Sequence, residues 1–214
     1  MLDLFSEEAP WAEPLAEGAV ILRRRAREDA GELMRLVEEV SARNPFHHRI
    51  TPGGHRMSVA MTNCGDFGWS TDSRGYQYSE RDNASGLRWP AMPDRFRQLA
   101  RECADEAGFA QFNPDACLIN RYEPGAKLTL HQDKDEQDLK QPIVSVSLGL
   151  PAVFQFGGFD RGDATQRVLL EHGDIVVWGG PSRLRFHGIL PLKPGIHPLT
   201  GAFRYNLTFR RAFR

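Results

Sequence analysis

PIVSVSLGLPAVFQFGG (residues 142–158) holds two short apolar runs, PIVSVSLGL (142–150) and AVFQF (152–156), followed by a Gly-Gly turn. Runs rich in Val, Ile and Phe and bounded by Gly and Pro are typical of short strands joined by turns. The pattern continues on both sides in ACLINRY (116–122), LTLH (128–131), RVLLE (167–171), DIVVW (174–178), RFHGI (185–189) and FRYNLTFR (203–210). About eight short strands over roughly 100 residues predict a sandwich or barrel, and a double-sheet jelly roll has that strand number.

The region before residue 114 has a different pattern. It predicts a strand at 18–25, a helix at about 28–43, an alternating strand at 57–62 and a second helix at 93–107. No linker rich in Pro, Ser or Gly separates this region from the β-rich part. We therefore expect a single domain (1–214), with an N-terminal extension and lid over about 1–113 and a β core over about 114–214.

The composition is that of a globular protein outside the membrane and the secretory route. Hydrophobic residues make up 41% of the 214 positions and charged residues 26%. No apolar run approaches the roughly 20 residues needed to span a bilayer, and the acidic N-terminus lacks the features of a secretory signal. The three cysteines form no CxxC pair and are interpreted as reduced thiols, so we expect a cytoplasmic protein without a membrane partner.

The charge is unevenly distributed, although the net charge is only −1. No Asp or Glu occurs from Ser182 to Arg214, a segment that also carries Lys193 and several arginines: Arg183, Arg185, Arg204, Arg210 and Arg211. This basic segment fits a surface for phosphates or for an anionic cosubstrate. A solvated basic face without a partner fits the pattern equally well.

His131 and Asp133 lie two residues apart in LTLHQDKDE (128–136), and an extended chain would project them from one face. His187, in a short strand late in the β region, is the natural third member. Two histidines and one carboxylate that leave open coordination positions suit a non-heme Fe(II) oxygenase. The spacing alone is weakly specific and also fits a solvated strand end.

The H-x-D spacing occurs a second time in this sequence, at His172 and Asp174, which shows that the spacing alone does not identify a metal site. It lies between two apolar runs, and Gly173 at its centre favours a tight hairpin turn over a metal site.

The last predicted strand (203–210) alternates two kinds of side chain. Apolar and aromatic residues form one face, and Arg204, Asn206, Thr208 and Arg210 form the other. Two guanidiniums directed into a β sandwich would need anionic partners to offset desolvation, and a dicarboxylate cosubstrate would supply them. Asn120 and Tyr122 share a face of ACLINRY and offer donors to a second carboxylate. The alternative is an outward-facing polar side of an antiparallel sheet.

As an ordered set, these motifs closely resemble the AlkB family of bacterial dioxygenases, which act on alkylated nucleobases. The motifs are NRYxPG (120–125), LxxHxDKDE (128–136), IVSVSLG (143–149), FxFGG (154–158), LLxHGDxVVWGG (169–180), HGI (187–189) and RYNLTFR (204–210). WxxPLxxGAVILR (11–23) and MSVAMTNCG (57–65) extend the resemblance over essentially the whole chain. It implies a mainly β fold with flanking helices and a double-stranded β-helix (jelly-roll, cupin-like) core.

The resemblance also implies cofactors and a reaction. Fe(II) would be bound by His131, Asp133 and His187, which are the catalytic centre, and 2-oxoglutarate would be held by Asn120, Tyr122, Arg204, Asn206 and Arg210. Together with O2, they would demethylate bases such as 1-methyladenine and 3-methylcytosine and release formaldehyde, succinate and CO2. The expected partner is alkylated single-stranded DNA, with RNA and duplex DNA as further candidates, and the expected state is a monomer.

On the substrate side, the resemblance makes Trp69 and His131 the two walls of a clamp around a flipped base. Asp135 would contact the exocyclic amine of the base. Tyr76, Tyr78, Arg161, Lys134 and Met61 would line the nucleotide channel or touch phosphates. Taken without the resemblance, Trp69 also fits a buried structural aromatic and Asp135 a solvated turn. The lid (residues 66–88) carries acidic residues near the presumed phosphate path, Asp66, Asp72, Glu80 and Asp82, which leaves the preferred nucleic acid open.

Two other functions fit the residues. One is an Fe(II)- and 2-oxoglutarate-dependent hydroxylase of a protein or small molecule. The other is a jelly-roll module that binds nucleic acid or a ligand without turnover. The second is less favoured, because a binding module has no reason to carry a metal set and a dicarboxylate set together.

Overall fold

The computed structural model describes residues 9–72 and 75–213 of the chain. Residues 1–8, the lid residues Ser73 and Arg74, and Arg214 of the basic segment lie outside this description. In chain order the strands of the described part are β1 (Trp11–Ala16), β2 (Ala19–Arg23), β3 (His47–Ile50), β4 (Arg56–Gly65), β5 (Gly68–Asp72), β6 (Gly75–Ser79), β7 (Ala116–Tyr122), β8 (Leu128–His131), β9 (Ile143–Gly149), β10 (Ala152–Phe156), β11 (Gln166–Leu170), β12 (Ile175–Trp178), β13 (His187–Ile189) and β14 (Arg204–Arg210). The helices are α1 (Ala30–Arg43) and α2 (Asp94–Glu106), with a 3-10 turn at Gly180–Ser182.

Two antiparallel sheets form the body of the protein. The larger has eight strands in the order β1-β2-β12-β9-β14-β7-β4-β3, and the smaller has four in the order β11-β10-β13-β8. Each of the eight predicted β-rich runs forms a strand whose ends lie within two residues of the predicted ends. From β7 to β14 the chain passes back and forth between the two sheets, with β10 and β11 as one hairpin within the smaller sheet. The predicted mainly β, jelly-roll architecture is confirmed.

The N-terminal region adds strands and helices to the larger sheet. β2 pairs with β12, and β4 pairs with β7, so this region continues the sheet. Both predicted helices are present, and their apolar stripes, which include Leu33 on α1 and Leu99 on α2, are fully buried. Burying one leucine side chain contributes about 1.5–3 kcal/mol, so these stripes hold the helices on the outer face of the sheet. The division near residue 113 stays a prediction.

The cysteines and the helices of the described residues can be compared with what the composition predicted. Cys64, Cys103 and Cys117 are free and buried, in line with their interpretation as reduced thiols. Within residues 9–72 and 75–213, neither helix is long and apolar enough to cross a membrane.

The turn at residues 172–174 connects the two sheets, so its interpretation as a hairpin was wrong. β11 pairs with β10 in the smaller sheet, whereas β12 pairs with β2 and β9 in the larger one. The turn is still tight: Gly173 has φ +88°, and a Cβ there would lie 2.9 Å from the backbone nitrogen of Arg27. Asp174 is buried and accepts hydrogen bonds from Arg23 Nη1 at 2.6 Å and from the backbone N–H of Arg24 at 2.9 Å. This second H-x-D pair is therefore a structural corner.

Gly173→Ala should destabilise the protein, because the new side chain would adopt a left-handed conformation and press on the backbone at Arg27. Such a conformation costs a non-glycine residue about 1–3 kcal/mol, so we expect the free energy of unfolding to fall by about that amount. Urea unfolding measures it. Gly162→Ala is the matched control, since nothing lies within 4 Å of a Cβ there. Equal stability of the two variants would contradict the prediction.

Candidate metal centre and active site

The two sheets enclose a cavity of about 880 Å³. Its walls come from both sheets, with β8 and β13 on one side and β7 and β14 on the other. The polar face of the last strand points into this cavity. Arg204, Asn206, Thr208 and Arg210 are each less than one tenth exposed. The alternative that this face points outward to solvent was therefore wrong.

His131, Asp133 and His187 meet at one end of the cavity. His131 ends β8 and lies directly opposite His187 in the antiparallel pairing of β8 with β13. Asp133 follows two residues after β8 and lies 3.7 Å from His131 Nε2 and 3.8 Å from His187 Nε2. One ligand atom from each residue lies within 4.8 Å of the others, a spacing that can hold a metal ion.

Hydrogen bonds orient both imidazoles for this purpose. Nδ1 of His131 lies 2.8 Å from the backbone oxygen of Thr129, and Nδ1 of His187 lies 3.0 Å from that of Arg185. A proton on Nδ1, donated to a carbonyl, leaves the Nε2 lone pair of each ring free toward Asp133.

The protonation states also suit a metal. Burial, with a smaller effect of nearby His131, lowers the pKa of His187 to about 3, so its imidazole is neutral at pH 7. Burial opposes the charged form of Asp133, but Arg210 and the two imidazoles outweigh it and hold the pKa of this carboxyl below its usual value. Metal ligation requires a neutral imidazole and an ionised carboxylate, and both are present.

Gly188 allows the close approach of the two strands that carry the histidines. A Cβ at this position would lie 2.6 Å from the backbone oxygen of Leu128 on β8. The pairing of the strands also shifts between His187 and Ile189, so β13 is not a regular strand. A side chain at residue 188 would therefore require the backbones of β8 and β13 to move apart.

A buried network of charges surrounds the carboxylate of Asp133. Arg210 donates from Nε and Nη2 to Asp133 Oδ2 at 2.9 and 2.7 Å. Glu136 lies 3.4 Å from Arg210 through Oε1, which also accepts a hydrogen bond from the Tyr78 hydroxyl at 2.7 Å. Arg183 donates to Glu136 Oε2 at 3.0 Å and to the backbone oxygen of Asp133 at 2.5 Å. The network fixes the orientation of Asp133.

Two members of this network, Glu136 and Arg183, were not predicted to take part in the site. Glu136 ends the quoted motif LxxHxDKDE, and Arg183 lies in the basic segment. Their positions in those motifs were the only indication in the sequence that they belong to the site. Each is buried, and a buried charge requires a partner of opposite sign. Which charges pair is a matter of three-dimensional contacts and was not predictable.

Arg204 is a buried cation with unused donors. It is 1% exposed, donates from Nη2 to Ser147 Oγ at 2.9 Å, and has no hydrogen-bond partner at Nε or Nη1. Burial lowers the pKa of Arg204. An unpaired buried guanidinium is costly, and a carboxylate that accepts its free donors would relieve that cost. The residues present therefore fit a dicarboxylate cosubstrate at this end of the cavity.

The other residues predicted to bind 2-oxoglutarate are close by. Asn206 donates its amide to Ser145 Oγ at 2.8 Å, and its Oδ1 lies 3.4 Å from the Asn120 amide nitrogen. The guanidinium of Arg204 lies 6.0 Å from the centre of the Tyr122 ring. Arg210 belongs to the same face, but in contrast to Arg204 it directs two of its donors at Asp133.

An aromatic pair lies at the mouth of the cavity. The rings of Trp69 and Tyr76 stack with centroids 5.2 Å apart and an interplanar angle of 15°. Trp69 donates from Nε1 to Asp135 Oδ2 at 3.1 Å. Trp69 is half-buried and belongs to the wall of the cavity, so it is not a fully buried core aromatic. Asp135 is exposed, as a turn residue would be, and it is also bonded to this wall.

The remaining substrate-side residues divide into two groups. Met61, Lys134 and Arg161 line the same cavity as Trp69 and His131. Tyr78 lies opposite Trp69 in the β5–β6 pairing, but its hydroxyl is bonded to Glu136 and the residue is not part of the cavity lining.

Several arginines of the basic segment and one acidic residue of the lid, Asp82, make structural contacts. Arg183 and Arg210 are buried in the network around Asp133, and Arg211 pairs with Asp115 at 3.7 Å. The interpretation of the whole segment as a solvated basic face was therefore wrong. In the lid, Asp82 was expected near a phosphate path. It is instead buried and paired with Arg49 at 3.0 Å, so its carboxylate does not face a bound nucleic acid.

Comparison with known proteins agrees with this geometry. Residues 18–210 match the 2OG-Fe(II) oxygenase superfamily. The chain is 64% identical to the alpha-ketoglutarate-dependent dioxygenase AlkB of Salmonella typhimurium, covering 99% of this chain and 98% of that protein. The corresponding protein of Escherichia coli is 62% identical over the same shares. The tRNA demethylase abh1 of Schizosaccharomyces pombe is 29% identical, over 68% of this chain and 47% of that protein.

A solved structure gives the same result for the fold. The structure of OsALKBH1 superposes with a TM-score of 0.83 at 30% sequence identity, covering 94% of this chain and 99% of that one. The chain therefore belongs to the 2OG-Fe(II) oxygenase superfamily. Within it, the identity over nearly the full length places the chain in the AlkB family. It is an Fe(II)- and 2-oxoglutarate-dependent dioxygenase, whose cofactors are Fe(II), 2-oxoglutarate and O2.

Two histidines with lowered pKa values predict how the stability of the metal-free protein depends on pH. In an unfolded chain histidine has a pKa near 6.5. In the folded protein, burial first and a neighbouring imidazole second lower the pKa of His187 to about 3 and that of His172 to about 4. Between the folded-state and unfolded-state pKa values, the unfolded state binds more protons than the folded state. The free energy of unfolding should therefore rise with pH from about 4 to about 6.5.

His187→Gln should reduce this rise, because glutamine does not titrate. Urea unfolding with a metal chelator, at about pH 5 and about pH 6.5, measures the difference. His55→Gln, which changes an exposed histidine, is the control. An unchanged rise in the His187→Gln variant would contradict the prediction.

Proposed function

We propose that this enzyme oxidatively removes alkyl groups from nucleobases such as 1-methyladenine and 3-methylcytosine in single-stranded DNA. One observation carries the proposal: the cavity that contains the His131, Asp133 and His187 group also contains the Trp69–Tyr76 aromatic wall and the carboxylate of Asp135. Its high identity to AlkB, and its similarity to a protein named a tRNA demethylase, support nucleic acid as the substrate class.

His131, Asp133 and His187 are proposed as the ligands of Fe(II). Bound there with 2-oxoglutarate and O2, iron would supply the oxidant that hydroxylates the alkyl carbon, with 2-oxoglutarate converted to succinate and CO2. The residues of the chain hold these ligands in place. Arg210 balances the charge of Asp133, and the Thr129 and Arg185 carbonyls keep both Nε2 atoms turned toward the metal.

Arg204 is proposed to hold the carboxylate of 2-oxoglutarate that lies away from the iron. Its two unpartnered nitrogens support this role, because a carboxylate can accept from both. Asn120, Tyr122, Asn206 and Arg210 complete the proposed set. Burial raises the pKa of Tyr122 to about 12, so its hydroxyl keeps its proton and can donate a hydrogen bond.

The aromatic wall explains how a damaged base would be recognised. Methylation at N1 of adenine or N3 of cytosine creates a cation that pairs poorly, so flipping it out of a helix costs less than flipping an intact base. Trp69 is proposed to stack on the flat cationic ring from one side and His131 to border it from the other. Asp135 would accept from the exocyclic amine and offset the positive charge. The hydroxymethyl group formed by the reaction then leaves as formaldehyde and restores the pairing edge.

The rest of the nucleotide path is proposed to involve Tyr76, Tyr78, Arg161, Lys134 and Met61. All except Tyr78 line the cavity, and Tyr76, Lys134 and Arg161 are exposed, as contacts to phosphates require. RNA and duplex DNA are proposed as further substrates. A cytoplasmic location is also proposed and is supported by three free, buried thiols. The protein is also proposed to be a monomer, and its molar mass measured by light scattering would test this.

The proposed function predicts formaldehyde release from 3-methylcytosine in single-stranded DNA, with Fe(II), 2-oxoglutarate and O2 all required. Release compared across methylated single-stranded DNA, duplex DNA and RNA gives the order of preference. Trp69→Ala should raise KM for the oligonucleotide about tenfold or more, because stacking contributes about 1–3 kcal/mol per base. Trp11→Ala, at an exposed tryptophan on β1, should not.

Two results would count against the proposal. If no alkylated nucleic acid releases formaldehyde while 2-oxoglutarate is still turned over, a protein or small molecule is the better substrate. If Trp69→Ala leaves KM unchanged, the assigned base-stacking wall is wrong.

Arg204→Gln should weaken 2-oxoglutarate binding strongly. Removing one partner of a buried, hydrogen-bonded charge pair costs about 2–5 kcal/mol, so KM for 2-oxoglutarate should rise roughly a hundredfold. Initial rates at varied 2-oxoglutarate concentration measure it. Arg121→Gln is the matched control, since Arg121 lies on the neighbouring strand β7 and packs between Phe46 and Phe203. A KM for 2-oxoglutarate that is equal in the two variants would rule out the role of Arg204.

A further inference from the structure

A fully buried asparagine forms two hydrogen bonds with the backbone of Trp69. Asn63 on β4 has a relative exposure of 0%. Its Nδ2 donates to the backbone oxygen of Trp69 at 3.0 Å, and its Oδ1 accepts from the backbone N–H of Trp69, also at 3.0 Å. The carboxamide thus binds Trp69 in the way that a peptide group of a neighbouring strand would.

This contact joins the lid to the larger sheet. The backbone of Asn63 pairs with Leu118 of β7, so it belongs to the rigid eight-stranded sheet. The chain reverses after β4, and β5 begins at Gly68. Among the described residues, β5 has a paired strand, β6, on one side only. The Asn63 side chain occupies the other side at Trp69.

The ring of Trp69 is held at its far end by other contacts. It stacks on Tyr76, and its Nε1 donates to Asp135. Both of these partners are exposed, so they constrain the ring less than a buried group would. The backbone N–H groups of Asp66 and Phe67 also donate to the backbone oxygen of Asp115, at 2.8 and 3.2 Å, and tie the start of this segment to the larger sheet. The two bonds from Asn63 are the contact with the larger sheet at Trp69 itself.

We propose that Asn63 is a positioning residue for substrate recognition, which acts by holding Trp69 in place for stacking on the alkylated base. This inference rests on the proposed function of Trp69. Asparagine suits the task because its amide presents one donor and one acceptor side by side, matching the carbonyl and N–H of one residue. Aspartate keeps the acceptor but directs a second oxygen at the Trp69 carbonyl, and alanine removes both bonds.

The first test compares kinetics. Asn63→Asp and Asn63→Ala should raise KM for an oligonucleotide containing 3-methylcytosine about tenfold, with kcat and the turnover of 2-oxoglutarate without substrate within about twofold of the parent. Asn83→Ala is the control, because Asn83 is an exposed lid residue that bonds Ser70 Oγ at 3.1 Å and does not contact Trp69. Its kinetics should match those of the parent.

A double-mutant cycle separates positioning from a general structural effect. If Asn63 acts through the Trp69 ring, Asn63→Ala should cause no further rise in KM in a Trp69→Ala background. An unchanged KM in folded Asn63 variants, or a full effect in that background, would overturn the proposal. Loss of the fold in both variants would also overturn it, since Asn63 would then support the sheet.

A second measurement does not depend on activity. The fluorescence of Trp69 is obtained as the difference between a protein and its Trp69→Phe variant, in the parent and in the Asn63→Ala background. Acrylamide should quench this fluorescence more strongly in the Asn63→Ala background. An unchanged quenching would overturn the inference. If the parent enzyme releases no formaldehyde from any methylated nucleic acid, the proposed function fails, and this quenching result still decides whether Asn63 holds Trp69.

Discussion

The pairing of β8 with β13 is the constraint on which the active site depends. It places His131 opposite His187 and thereby brings together two proposed metal ligands that are 56 residues apart in the sequence (187 − 131). Because Gly188 has no side chain, the two backbones approach closely enough for both Nε2 atoms to face Asp133. The carboxylate then needs only two further residues of chain after β8 to complete the group.

The last strand, β14, supplies two arginines whose different partners divide the cavity into two ends. Arg210 is committed to Asp133 and to the buried Glu136, so its charge is already balanced. Arg204, six residues earlier on the same face, retains two unpartnered nitrogens (210 − 204). A buried guanidinium in that state favours an anion. The end of the cavity near Asp133 therefore suits a metal cation, and the end near Arg204 suits a carboxylate. A dicarboxylate that binds the metal through one end and Arg204 through the other would use both.

Much of the fold could be predicted from local patterns, whereas the contacts between distant segments could not. Alternation along 57–62 and 203–210 predicted two strands, because side-chain burial in a sheet repeats every two residues. Short apolar runs bounded by Gly and Pro, such as those in 142–156, predicted the others. The turn at 172–174 was wrongly predicted to be a hairpin, since a turn does not reveal which sheet each flanking strand joins. Asp82 was expected near a phosphate path, because its partner Arg49 is 33 residues away and their contact could not be predicted. Glu136, Arg183 and Asn63 were missed for the same reason: their roles depend on partners that only the folded chain brings together.

The lid is connected at both of its strands to the part of the structure that holds the proposed metal site. On β5, Trp69 is bonded through its backbone to Asn63 of the larger sheet. On β6, Tyr78 is bonded to Glu136, which contacts both Arg183 and Arg210, and Arg210 binds Asp133. A hydrogen bond that is buried is stronger than an exposed one and fixes geometry more tightly. Buried or partly buried contacts thus connect the aromatic wall and the carboxylate of the proposed metal site to the same body of the protein. We expect their relative position to depend more on these contacts than on the exposed residues at the mouth of the cavity.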